Sequence, residues 1–262
     1  NFGLSLESKI ASAVGAGMCF YNIGAYEDAE KWLVQYLDLA ENSKSNDLYS
    51  AYFILGKTYL ALENSTQAGN AFQRALTEQN SREQFVEAVT ALVKGNIEQG
   101  NFVEALDALE NIRSVALSQE QSVEMLLLRS EVNQKLGLVD TAITSLRDKA
   151  EYILDSQLNA KIAFELAKCL IIKEDLELAA DYLTEVLRMA EPGPLTQDAT
   201  LELANVCLEL AQYSQTKSLC LKLLDMDLTI QTRQKTLKIL AEVYNKEKDY
   251  DKAALTLSGQ WK

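Results

Sequence analysis

Apolar residues fall at helical spacing in paired segments, and the pairs recur at a fixed interval. In Ala51–Leu76, Leu55 and Tyr59 share one face of a first segment, and Ala68, Phe72 and Ala75 share one face of the next, the spacings of two successive amphipathic helices. Gly56 and Ala68 are small and stand twelve residues apart, where they would let the two helices approach while Leu55, Tyr59 and Phe72 fill the space around them. Neither helix hides its apolar face alone. The stretch therefore predicts a helical hairpin.

The Ala68 anchor recurs at Ala29, Ala105, Ala142, Ala179, Thr216 and Ala253, with one step of 39 residues and five of 37. Twelve before each anchor stand Gly17, Gly56, Val93, Ser130, Ala167, Ala204 and Ala241, all small except Val93. Nine before lie Phe20, Tyr59, Asn96, Asn133, Leu170, Cys207 and Tyr244; four after lie Leu33, Phe72, Leu109, Leu146, Leu183, Cys220 and Leu257. These two rows are the expected core, with Asn96 and Asn133 as its polar members.

Turn chemistry agrees with the register. Gly24 can end the first helix in a left-handed cap, and further turns are expected at Asn64, Gly100-Asn101, Gly137 and near Glu174-Asp175. Asn64 with Gln67, Asn101 with Glu104, and Ser118 with Gln121 have capping-box spacing, and Thr196 can cap a helix after the Pro192–Pro194 break. That break is not a domain boundary, because the step from Ala179 to Thr216 is still 37 residues. The polar run 42–47 accounts for the single step of 39. Hairpins are expected at about 10–43, 49–80, 85–114, 119–154, 157–191, 196–227 and 232–258.

Leu55, Gly56, Tyr59, Ala68 and Phe72 together resemble the tetratricopeptide repeat family. The resemblance covers nearly the whole chain and implies an all-α, right-handed α–α superhelix, one TPR-like solenoid over residues 1–262. The family repeat is about 34 residues, so the extra three are expected in the turn between hairpins. Asn96 and Asn133 depart from the pattern, where an aromatic is usual.

In the family the first helix of each hairpin lines the concave side. By that resemblance the protein-binding candidates are Met18, Tyr21, Phe53, Lys57, Leu60, Lys94, Ile97, Glu131, Gln134, Phe164 and Lys168. Lys57 and Lys94, beside Phe53, Leu60 and Ile97, would seat an acidic, partly apolar peptide; the plainer reading makes them solvated helix charges. The row containing Val14, Phe53, Thr90, Leu127, Phe164, Leu201 and Lys238 is either binding surface or packing between repeats. The carboxylate clamp of some family members does not carry over, since Val14, Met18 and Ile54 occupy the matching positions.

Composition narrows the function. A net charge of −13 with no basic stripe repels a phosphate backbone, so nucleic acid is not an expected partner. With no histidine, the usual general base, triad orienter and metal ligand are missing, so no enzyme activity, cofactor or metal is expected. Gly15-Ala16-Gly17 lies inside a helical pattern without a preceding strand and reads as packing. No apolar run reaches the roughly 18 residues of a membrane span. Cys19, Cys169, Cys207 and Cys220 fall on apolar stripes and read as free buried thiols, although Cys207 and Cys220 are placed to approach each other. This suits the cytoplasm, an extracytoplasmic bacterial location being the alternative. The chain begins at Asn1, which suggests a processed or excised piece, and both ends of the array lack a polar covering helix. The reading is a scaffold binding a peptide or helix of a partner protein. The alternatives are the substrate-presenting arm of a larger enzyme and self-association through the uncapped ends.

Overall fold

In the computed structural model, residues 6–40, 48–78, 81–113 and 115–260 are described, and they form fourteen α-helices and no strand. The polar run 42–47 lies outside the described residues. The chain divides into two compact units at residues 121 and 122. In unit 1, α1 (Leu6–Asn22) pairs with α2 (Tyr26–Ala40), α3 (Leu48–Ala61) with α4 (Ser65–Glu78), and α5 (Arg82–Glu98) with α6 (Phe102–Asn111). Unit 2 begins within α7 (Gln119–Lys135), which is followed by α8 (Val139–Ala150), α9 (Ser156–Ile172) and α10 (Leu176–Met189). It continues with α11 (Pro194–Glu209), α12 (Tyr213–Leu224), α13 (Ile230–Lys246) and α14 (Tyr250–Leu257).

The register is set at the turns. All seven turns within hairpins are three residues long, and each places one residue, five before the anchor, in the left-handed region: Gly24, Glu63, Gly100, Gly137, Glu174, Ala211 and Lys248. Around each of them two backbone bonds close a Schellman motif. In the first, Ala25 N–H donates to Phe20 C=O at 2.9 Å and Gly24 N–H to Tyr21 C=O at 3.0 Å; in the seventh, Asp249 donates to Tyr244 at 2.9 Å and Lys248 to Asn245 at 3.0 Å. A fixed turn fixes which faces meet. Between hairpins, the connections within unit 2 are four or five residues long, and its first helices run to 16 or 17 residues, so the repeat is lengthened in the helices as well as in the turns.

All seven anchors are buried, and so is every residue twelve before them. At the two glycines of that row, the side chain lying on the small residue is the one four after the anchor. A Cβ on Gly17 would stand 2.6 Å from Leu33 Cγ, and one on Gly56 would stand 2.6 Å from Phe72 Cε1. Glycine is thus required there by space rather than by backbone conformation. Leu257 departs from its row: it is the last residue of α14 and is 60 % exposed, the helix burying Ala253 and Thr256 instead.

Capping follows the sequence in part. Ser118 and Gln121 form a reciprocal box, Gln121 N–H donating to Ser118 Oγ at 3.2 Å and Ser118 N–H to Gln121 Oε1 at 3.0 Å. Asn64 Oδ1 accepts from Gln67 N–H at 3.4 Å. Asn101 does not cap α6, because its amide donates to Gln99 Oε1 at 2.7 Å instead. Pro194 occupies the first helical position of α11, which moves Thr196 inside the first turn; there its hydroxyl accepts Gly193 N–H at 3.0 Å.

Candidate functional site

Within each unit the first helices lie against one another, α1 on α3 and α3 on α5, then α9 on α11 and α11 on α13. The face they share carries the candidate residues. In unit 1, Met18 and Tyr21 are half-buried on α1, and the Tyr21 ring lies 5.7 Å from that of Tyr26. Lys57 Nζ sits 5.1 Å from the Tyr21 ring centre and 5.7 Å from that of Phe53, so the ammonium is held over two aromatic faces. Lys57 is therefore a structural cation as well as a surface charge.

Phe53 is 9 % exposed, stacked on Tyr49 at 5.6 Å and tilted against Phe72 at 5.8 Å. It packs within its own hairpin; Val14 and Leu201 of the same row are also buried, Thr90, Leu127 and Phe164 are half-buried, and Lys238 is exposed. Tyr49 Oη donates to Glu87 Oε2 at 2.9 Å, and burial, with Glu87 adding to it, pushes its phenol well above the usual range. Leu60 and Ile97 are half-buried and Lys94 is exposed on α5. Leu60 packs over Gly95, where a Cβ would stand in ordinary contact 3.4 Å from Leu60 Cδ2.

In unit 2 the same face opens a groove of about 320 Å³. Phe164, Ile171 and Leu201 supply apolar surface, Gln134 and Lys168 flank it from α7 and α9, and Asp198, Glu202 and Lys235 give it a charged rim. Gln134, Phe164 and Lys168 are thus brought together as expected. Glu131 is half-buried on α7 and does not line the groove.

Beneath the groove lies Glu165, which is 7 % exposed. Its Oε1 accepts from Ser130 Oγ at 3.2 Å and from Gln134 Nε2, and its Oε2 accepts from Lys168 Nζ at 2.8 Å. A buried carboxylate held by three donors fixes the rotamers of Gln134 and Lys168 on the groove wall. Sequence reasoning missed Glu165; its one signal was the hydroxyl of Ser130 in a row otherwise free of polar groups. Ser130 Oγ also lies 3.7 Å from Cys169 Sγ, and burial raises that thiol's pKa. The cysteines are free, and Cys19 is exposed rather than buried. Among the described residues no three His, Cys, Asp or Glu gather as metal ligands, and no helix is long and apolar enough to cross a membrane.

This arrangement, hairpins stacked so that their first helices share one face, defines an all-α helical repeat protein. Residues 49–82 match the family model of the tetratricopeptide repeat. Three solved structures show the likeness of fold. A signal-transduction ATPase with a tetratricopeptide repeat sensor from Pyrococcus horikoshii matches with a TM-score of 0.69 at 17 % identity, over 96 % of this chain and 41 % of that one. The apo quorum sensor NprR from B. thuringiensis matches at 0.63 and 15 %, over 97 % and 76 %. YrrB, a tetratricopeptide repeat protein with an unusual peptide-binding site, matches at 0.51 and 16 %, over 71 % and 89 %. No curated protein matches the chain. Residues 49–82 thus match a tetratricopeptide repeat, and the chain as a whole shares the all-α fold of the solved tetratricopeptide repeat proteins it resembles.

Proposed function

We propose that the chain is an interaction scaffold with no catalytic step of its own, which binds a peptide or helical segment of a partner protein along the concave face of its first helices. The observation that carries this reading is the unit 2 groove, where apolar surface from Phe164, Ile171 and Leu201 is ringed by side chains of both charges and held ready by the Glu165 network. A groove already shaped spares the cost of ordering on binding. The peptide-binding site of YrrB is consistent with it. The 37-residue register passes unbroken from Ala105 to Ala142, which supports a single array of seven hairpins. The sensor of the Pyrococcus ATPase, part of a longer chain, lends a second reading as the arm of a larger enzyme.

The Lys57 geometry redirects the acidic-peptide idea in unit 1. A cation already seated on Tyr21 and Phe53 offers a partner its remaining donors, with specificity from the rings beside it. Peptides selected by display on the whole chain test the reading. Those bound at the unit 2 groove keep their affinity in a Lys57→Glu, Lys94→Glu variant of unchanged helicity, and acidic peptides lose it. If no selected peptide distinguishes the groove residues from the rest of the surface, the scaffold reading fails.

A further inference from the structure

Unit 1 carries a second groove, on the side of its second helices and away from the first-helix face. Between α4 and α6, above α5, about 390 Å³ lies open, a volume in the range of small-ligand sites. Comparison among the repeats explains why it is open. One residue after each anchor, on the second helix, faces the residue nine before the next anchor, on the following first helix. These pairs fill the space elsewhere within the units: Tyr59 hydrogen-bonds Glu30, Ile143 and Leu170 share one apolar cluster, Ala180 and Cys207 share another, and Lys217 Nζ lies 5.9 Å from the Tyr244 ring. At the third hairpin the pair is Gly69 and Asn96. A Cβ on Gly69 would meet nothing within 4 Å, and a short amide replaces the aromatic ring. Both halves of the filling have been removed together.

What replaces it is polar. Asn96 is 8 % exposed, lines the groove, and its side-chain amide has no hydrogen-bond partner among the described residues. That amide opens onto the groove, since among the described residues no buried side-chain N or O lacks a partner, and so it is available to a ligand there. Asn70 and Gln73 stand on the α4 wall, and Glu104 and Asp107, neighbours three apart on one helix face, stand on the α6 wall. No lysine or arginine lines the groove. Side-chain amides offer a donor and an acceptor side by side, the pattern of a peptide unit, and paired carboxylates select a cation.

We propose that this groove holds a short extended segment of a partner protein carrying a basic residue, its main chain paired with Asn70, Gln73 and Asn96 and its cationic side chain between Glu104 and Asp107. The site is distinct from the first-helix face, so Phe164→Ala leaves it unchanged.

Titration of the whole chain with N-acetyl-arginine-N′-methylamide, read by NMR of side-chain amide signals, tests this. The signals of Asn70, Gln73 and Asn96 shift, and binding weakens about tenfold or more, equivalent to about 1.4 kcal/mol, for the capped citrulline analogue, which has the same shape and no charge. Refilling the space with Gly69→Glu and Asn96→Tyr, the residue types of the preceding pair, removes the shifts. Glu104→Gln with Asp107→Asn, both at exposed positions, weakens arginine binding several-fold and decides the matter should the refilled variant not fold. Equal binding of citrulline, equal titration of the same signals by glucose, or arginine affinity untouched by the Glu104 and Asp107 changes would each overturn the proposal.

Discussion

Units 1 and 2 keep one register and fill it with different materials. In the second hairpin, Gly56 lies under Phe72, and Tyr49, Phe53 and Phe72 form a run of rings. In the fifth, Ala167 faces Leu183 within a core of aliphatic residues and cysteine, beside the buried carboxylate of Glu165. A missing methyl on one helix is matched by a larger side chain on the other. The separation of paired helices is thus set by the sum of two side chains and by a turn that never changes, not by the identity of either residue.

The largest test of that sameness is a charge at the crossing. Ala68→Asp in unit 1 and Ala204→Asp in unit 2 each bury an unpaired carboxylate, and each should cost about 3 kcal/mol or more by urea unfolding. A unit that tolerates the change does not use the crossing. The comparison sharpens with opposite substitutions. Gly56→Ala drives a methyl into the Phe72 ring and should cost about 1–3 kcal/mol although helix propensity favours alanine. Ala167→Gly should also cost about 1 kcal/mol, by loosening a helix that has room for the methyl.

Two further effects belong to unit 2. Glu165→Ala leaves Gln134 and Lys168 without their shared acceptor and should cost about 1–3 kcal/mol by thermal melting. Cys220 is held by burial at a pKa of about 12. Its unfolded thiol loses a proton near pH 9 while the folded one keeps it, so the contribution is intact below pH 9 and is lost as the pH rises toward 12. At pH 10 the loss is about 1 kcal/mol, and Cys220→Ala should flatten that part of the stability profile. The smallest effects are at the turns. Ala211→Gly relieves a left-handed alanine and should gain about 0.5 kcal/mol, whereas Gly137→Ala should lose about 1 kcal/mol.

The parts legible in sequence were those written as repeats. The anchors, the small crossing row and the glycine turns repeat in residue type, so their interval gave the hairpins to within a few residues. The turns at Ala211 and Lys248 stayed hidden because neither residue type announces a left-handed backbone; the repeating turn geometry imposes it. Phe53 was placed on the binding face by the resemblance, but Tyr49 one turn earlier and Phe72 of α4 pack on its ring, and the contact across to α4 is one that a single-helix count does not see. Asn96 was recognisable as a departure from the aromatic row. Its consequence required Gly69, 27 positions earlier, to stand opposite, and only the fold brings those two sites together.

The central claim is that the first-helix groove of unit 2 is where a partner segment sits. The direct measurement is the affinity, by fluorescence anisotropy, of a display-selected peptide for the whole chain and for a Phe164→Ala, Lys235→Glu variant of unchanged melting temperature. At least about tenfold weaker binding to the variant, some 1.4 kcal/mol, is the predicted result. Equal affinity for both proteins would contradict it.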